Sequence, residues 1–286
     1  MKRNYNISTR SELRKVSSIP SLDLKKIGIV ARDYRDKFPN GYRDFSYALP
    51  SVLKLLDNKG CDSVLFSLFS IDARKGYSPI ASFKGLKNIK AIFLEKFKDG
   101  ENRVPGVYVV YCRARSGWKA YELKQAFGTL NKLRREDIDG FDRSKGKNVE
   151  EIFMRNFVSD ELTRRIFGNC CVLLCGETNG VKYSKSDKKI HDTFGLRKAI
   201  PNKVTVILNP VHDRMTRFEM KLKRKFISKN NRWVISVWNK GKQDKNGKVK
   251  DGQGPAWAAY YDGKEIEVEK LPHNTTNVEV GILDLT

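Results

Sequence analysis

Phe167 to Asn179 reads FGNCCVLLCGETN, an apolar run that ends on a cysteine at a turn. Val172, Leu173 and Leu174 have the makeup of a short buried strand. Cys175 closes it, and Gly176, Glu177, Thr178, Asn179 and Gly180 break it. A thiol in that position is fixed by the strand and presented by the loop, as nucleophilic attack requires. The competing reading is an inert thiol, because free cysteines commonly pack as small hydrophobes. Two further groupings bear on chemistry. Glu122-Leu123-Lys124, with Asp99 upstream, is the E-x-K spacing that a Mg²⁺-dependent nuclease of the PD-(D/E)xK type uses, its carboxylates on the metal and its lysine beside the attacking water. His212-Asp213 follows a strand, where it suits a loop contact or helix cap in the absence of a second His-Asp element. Cys170, Cys171 and Cys175 do not make a metal site, since adjacent cysteines rarely aim at one ion and only His191, His212 and His273 could complete it. No metal or cofactor is expected.

The elements that must hold these residues alternate between strand and helix. Apolar runs predict strands at 26–31, 63–69, 89–93, 106–113, 203–208, 233–238 and 256–261. Tyr42, Phe45, Leu49, Val52, Leu53 and Leu56 recur at helical spacing across 40–56, with Pro50 inside the pattern. Thr216 to Lys229 predicts a basic helix with Phe218, Leu222 and Phe226 on its apolar face. Trp118, Trp233, Trp238 and Trp257 lie in or near strands and read as core. This alternation argues for an α/β layered domain over 25–286, preceded by a polar, basic leader at 1–24.

The totals narrow the class. With 40% apolar residues among 286, the chain can bury a sizeable core. No apolar run is long enough to span a bilayer, and the basic N-terminus lacks the apolar centre of a signal peptide. Five cysteines, three of them crowded at 170–175, do not form a disulfide framework, which points to a reducing, cytoplasmic setting. The net charge of +23 attracts polyanions, so nucleic acid is an expected class of partner. A lysine-rich surface that is merely solvated is the alternative.

Taken in order, the pieces resemble the nitrilase, or carbon–nitrogen hydrolase, superfamily. Ser63 to Pro79 resembles its second strand and exit, and Asn102 to Lys124 its asparagine, strand and lysine. Cys175-Gly176-Glu177 resembles the nucleophile turn. Val206 to Pro210, Arg232 to Ile235 and Asn239 resemble the closing half. The resemblance implies an αββα sandwich, with mixed sheets and flanking helices, and a Glu–Lys–Cys triad acting on a small amide-type substrate. Carried over, Cys175 is the nucleophile and Lys124 stabilises developing negative charge, with Lys119 and Lys132 as secondary placements. Glu136 takes the place of a second glutamate. Glu177, Asn209 and His212 fall at the pocket-facing loops, Glu177 chiefly to orient the turn. The family often assembles through its outer helical face, so a homo-oligomer is also implied. One departure stands out: where the family has Pro-Glu, this chain has Ser67-Leu68, and Asp72 and Glu95 are displaced from that position. Another carboxylate serves, or the chain is a catalytically lapsed relative that binds nucleic acid or a protein.

Overall fold

Continuous apolar runs make strands that can bury both faces, and this chain builds two sheets around them. The structure, a computed structural model, describes residues 20–33, 44–72, 78–98, 104–125, 154–211, 218–241, 254–274 and 277–286. In chain order, β1 (Lys26–Arg32), helix α1 (Leu49–Asn58), β2 (Ser63–Phe66), β3 (Ile71–Asp72), β4 (Ala91–Lys98), β5 (Val104–Ala114) and β6 (Gly117–Leu123) open the fold. Then come β7 (Ile166–Phe167), β8 (Cys170–Val172), the hairpin β9 (Lys182–Ser184) and β10 (Lys189–His191), and β11 (Val206–Pro210). Helix α2 (Phe218–Ile227), β12 (Trp233–Val237), β13 (Trp257–Tyr261), β14 (Lys264–Ile266), β15 (Glu269–Leu271) and β16 (Val278–Asp284) close it.

The first sheet runs β15-β16-β1-β2-β4-β5-β6, with β3 beside β4, and the second runs β14-β13-β12-β11-β8-β7. Each has a parallel centre, β1-β2-β4 in one and β8-β11-β12 in the other, flanked by antiparallel strands. The inner faces pack on each other. Ile27, Ile29, Leu65, Phe93 and Val110 of the first sheet share a core with Val172, Leu208, Ile235 and Ala259 of the second. The residues between them in sequence face outward. Val30, Val64, Ile92 and Val109 pack under Val52, Leu53 and Leu56 of α1. Cys171, Ile207 and Val234 pack with Ile227 of α2. The layering is helix, sheet, sheet, helix, the αββα sandwich expected.

Two sets of bonds fix how the sheets face. At one end Asn239, just past β12, donates to the Leu68 carbonyl (2.7 Å), and its own oxygen accepts from the Ser67 hydroxyl (2.5 Å). Lys240 N–H bonds the Arg32 carbonyl at the same end (2.9 Å). At the other end Leu24 N–H bonds Asn169 Oδ1 and Asn169 N–H bonds the Leu22 carbonyl. The parallel strands of both sheets therefore end on one rim, where β2, β4, β6, β8, β11 and β12 finish together. Leu22 and Leu24 are buried in the inter-sheet core, so the chain is fastened from inside the segment read as a leader.

Three local outcomes differ from expectation. Helix α1 starts at Leu49, with Pro50 in its first turn, where the missing N–H removes no helical bond. Helix α2 is rolled about its axis: Met220, Lys223, Arg224 and Ile227 are buried, while Phe218 is exposed. The strand before the cysteine is Cys170–Val172, with Leu173 and Leu174 forming its exit. Trp233, Trp238 and Trp257 are core residues, as expected. Among the described residues no helix is long and apolar enough to cross a membrane.

Gly168, at φ +64°, lets β7 and β8 turn against the incoming chain; a Cβ there would lie 1.9 Å from the Leu22 carbonyl oxygen. Gly168→Ala is expected to cost at least about 2 kcal/mol, seen as a fall in Tm of about 4–8 °C. An unchanged melting curve would show that the Leu22–Leu24 segment is not fastened there.

Candidate functional site

Cys175 stands on that common rim. Leu173 N–H still bonds the Leu208 carbonyl (2.8 Å), and Leu174 is extended. Cys175 then takes φ +22° and opens a six-residue 3₁₀ helix that runs to Gly180. A non-glycine residue in that region is strained and persists only where its surroundings hold it. Four contacts do so. Glu177 reaches back to accept the Leu174 N–H at Oε2 (2.8 Å), as at a capped helix start. Its Oε1 takes Arg165 Nη2 (2.6 Å), both side chains being almost wholly buried. Asn209 Nδ2 donates to the Leu173 carbonyl (2.7 Å). Lys223 of α2 donates to Asn179 Oδ1 (3.0 Å).

Behind Asn209 runs a buried polar chain. Ser236 donates to Asn209 Oδ1 (3.1 Å), and Arg224 Nε donates to Ser236 (3.0 Å). The Arg224 guanidinium lies over the Trp238 ring at 5.3 Å, and burial lowers its pKa to about 10. The roll of α2 is explained here: Lys223 and Arg224 are turned inward to serve the cysteine turn and the strand beneath it.

Lys124 joins this rim from the first sheet. It follows β6, is exposed, and its carbonyl accepts a hydrogen bond from the same Arg165 Nη2 that pairs with Glu177. One guanidinium thus ties the lysine backbone of one sheet to the cysteine turn of the other. Cys175 and Lys124 are brought to the same end of the sandwich. Lys119 is exposed in the middle of β6, opposite Cys112. Glu177 and Asn209 are buried (0% and 2% exposed) and hydrogen-bonded within the chain, so in this arrangement they position the turn. Glu136, His212, Lys132 and Asp99 lie outside the described residues. Glu122 is exposed on β6, and among the described residues no three His, Cys, Asp or Glu side chains gather as metal ligands.

Of two further residues of this rim, Arg165 was not named from sequence and Glu95 was set aside there as displaced. Arg165 carries no local signal, being one of 56 basic residues. Glu95 does: in AIFLEKF it falls in phase with Ala91 and Phe93, whose side chains face the inter-sheet core, and it is 3% exposed. The β2–β4 register ends with Leu65 beside Phe93 and resumes with Ile71 beside Lys96, and between them the Ser70 hydroxyl links Glu95 N–H to the Ser67 carbonyl. The carboxylate that the sequence places out of position is a lateral neighbour of the Ser67-Leu68 site.

The opposite end of the first sheet carries a different surface. Lys25, Lys90, Arg113 and Arg115 line a groove of about 520 Å³, with Asp62 at the start of β2. Arg113 is clamped there by the Leu86 and Lys87 carbonyls and lies over Trp118.

No protein-family model matches the sequence, and no curated protein matches it. Among solved structures, the chain is similar to a carbon–nitrogen hydrolase from Helicobacter pylori (9% identity, 92% of this chain and 89% of that one, TM-score 0.44). It is also similar to the NitFhit protein of C. elegans (10% identity, 92% and 62%, TM-score 0.47). A third is a glutamine-dependent NAD(+) synthetase from Cytophaga hutchinsonii (11% identity, 92% and 43%, TM-score 0.48). The chain thus spans less than two thirds of the latter two.

Cys61, Cys112, Cys170 and Cys171 are buried, and Cys175 alone is partly exposed. Burial pushes the thiols of Cys61, Cys112 and Cys171 up to about 12, and that of Cys170 well above its ordinary value. Iodoacetamide on the native protein should therefore modify Cys175 at least about 10²-fold faster than the rest, with all five reacting in denaturant. Peptide mapping of a first-labelled site other than Cys175 would contradict this.

Proposed function

We propose that this chain is a divergent carbon–nitrogen hydrolase-like protein that uses Cys175 to attack an amide or related substrate. The observation that carries the reading is the strained Cys175 turn, joined through Arg165 to the Lys124 end of β6. The Cys175 sulfur bonds the carbonyl carbon as its proton passes to a base. The Lys124 ammonium stabilises the oxyanion. The C–N bond breaks as the amine leaves with that proton, and water then releases the acid and restores the thiol. Glu177 and Asn209 hold the turn in this scheme, and Glu136 and His212 are its further candidates for proton transfer and substrate contact. A reducing, cytoplasmic setting keeps the thiol free, and assembly of copies through an outer helical face belongs to the same reading.

The test is acylation by p-nitrophenyl acetate with intact-mass detection, followed by a screen of simple amides. Cys175→Ala is expected to abolish the covalent adduct. Lys124→Ala is expected to slow its formation about 10²-fold without changing Tm. An adduct that survives Cys175→Ala would refute the reading.

A second reading, a catalytically lapsed sandwich that binds polyanions, is favoured by Ser67-Leu68 and by the basic groove at the other end. Binding of a labelled single-stranded oligonucleotide should then weaken by about 10²-fold or more between low and physiological salt. Lys90→Glu with Arg115→Glu should weaken it further while sparing Cys175 labelling. Salt-independent binding would exclude this reading.

A further inference from the structure

Helix α2 carries more apolar surface than the core takes. Successive helical residues turn by about 100°, so Met220, Lys223, Arg224 and Ile227 form one arc, and these are the buried ones. Phe218, Lys221 and Lys225 lie on the opposite arc and are exposed, and Lys229, also exposed, follows just past the helix end. Phe218 is 65% exposed, more than any other large apolar side chain among the described residues. Leu222 and Phe226 fall between the two arcs, half-buried, with the Arg197 guanidinium over the Phe226 ring at 4.1 Å. The helix's one acid, Glu219, is half-buried on the same flank.

The hairpin that follows the Cys175 turn meets this stripe. Tyr183 of β9 meets Phe218 edge to face, the ring centroids 6.0 Å apart. Ile190, its partner on β10, packs at the edge of the cluster that holds Ile227. An aromatic lip therefore stands at the head of a lysine row, in which Lys221 and Lys225 are about 6 Å apart along the axis. Glu265 of β14 approaches Lys221 (3.9 Å), but both side chains are about half exposed, and so open a pair leaves the charge of the row available. Lysines in a row neutralise successive phosphates, and an exposed ring gives a base a face to stack on; unpaired nucleic acid requires both. The net charge of +23 favours the same class of partner. A second copy docked face to face would bring like lysine rows together. A lipid surface needs a broader apolar face than Phe218 and Tyr183 offer, since Leu222 and Phe226 are half covered.

We propose that the outer face of α2, with Tyr183, is a docking track for single-stranded nucleic acid. Lys221, Lys225 and Lys229 hold phosphates, and Phe218 with Tyr183 stacks against a base. The track lies beside the Cys175 turn, to which α2 is tied by Lys223 and Asn179, and it is separate from the basic groove at the other end of the first sheet. It calls on no chemistry at Cys175.

Fluorescence anisotropy of a short, fluorescein-labelled single strand of mixed sequence tests it. Phe218→Ala should weaken binding about tenfold. Lys221→Glu with Lys225→Glu should weaken it about 10²-fold at low salt and lower the log–log salt slope by about 1.4. The melting curve should stay unchanged in both variants, because all three side chains are exposed. Wild-type affinity in both, with the loss confined to Lys90→Glu with Arg115→Glu, would overturn this surface in favour of the groove. Equally tight binding of the matching duplex, indifferent to Phe218→Ala, would overturn the stacking on which it rests. Failure to bind the strand at low salt would also overturn it. In that case a dimer dissolved by Phe218→Ala assigns the face to a second copy, and binding to phosphatidylserine vesicles lost in the lysine variant assigns it to a lipid surface.

Discussion

The buried pair of Arg165 and Glu177 is the interaction on which the rim depends. Stripping water from two such ions costs several kcal/mol each, so the pair is favourable only where other bonds complete it. Here they do. Glu177 takes a backbone N–H with its second oxygen, and Arg165 gives Nη2 to the Lys124 carbonyl as well and packs over the Phe157 ring at 5.8 Å. Replacing the pair by apolar residues could fill the same volume, but would not tell β6 where to end relative to β8. Its value is in specifying that relation, because the inter-sheet core alone allows sliding. Apolar contacts are non-directional.

A second constraint is the positive φ of Cys175. Strain at one residue is sustained only if its neighbours are over-determined, and the turn is held from below, behind and beside. Asn209 grips the strand exit, Lys223 grips Asn179, and Glu177 grips Leu174. The cost of burying Lys223 and Arg224 is best understood in this light. Helix α2 gives up an apolar face formed by Phe218, Leu222 and Phe226 in favour of one that delivers two cations to the polar interior. The other cysteines, Cys112, Cys170 and Cys171 in strands and Cys61 between α1 and β2, are buried at ordinary negative φ.

Much of this was legible in the sequence, and what escaped did so for physical reasons. The runs at 26–31, 203–208, 233–238 and 256–261 lie close to β1, β11, β12 and β13, because strands buried on both faces are continuous apolar blocks. The strand β6 went unread because GWKAYEL is an edge strand with mostly exposed side chains. Strand β16 was missed at the chain's end, where VEVGILD pairs centrally beside β1. Of the candidate site, Cys175 was read from turn chemistry and Lys124 from the resemblance alone. Arg165 was not, since a buried arginine is written with the same letter as a solvated one.

Glu95 shows a more general limit of reading along a chain. Parallel strands in register bring residues far apart in sequence to within about 5 Å of each other. Ser67 and Glu95 are separated by 28 residues in sequence, yet the Ser70 hydroxyl bonds both of their backbones at one rim. A polar side chain has to meet only a distance and a direction, so an adjacent strand can supply it. A nucleophile at a strained turn cannot be shifted so easily, because its placement is a property of the backbone. What the β2 exit retains here, its tie to Asn239 and the turned Phe69 N–H, is organised around the neighbouring carboxylate.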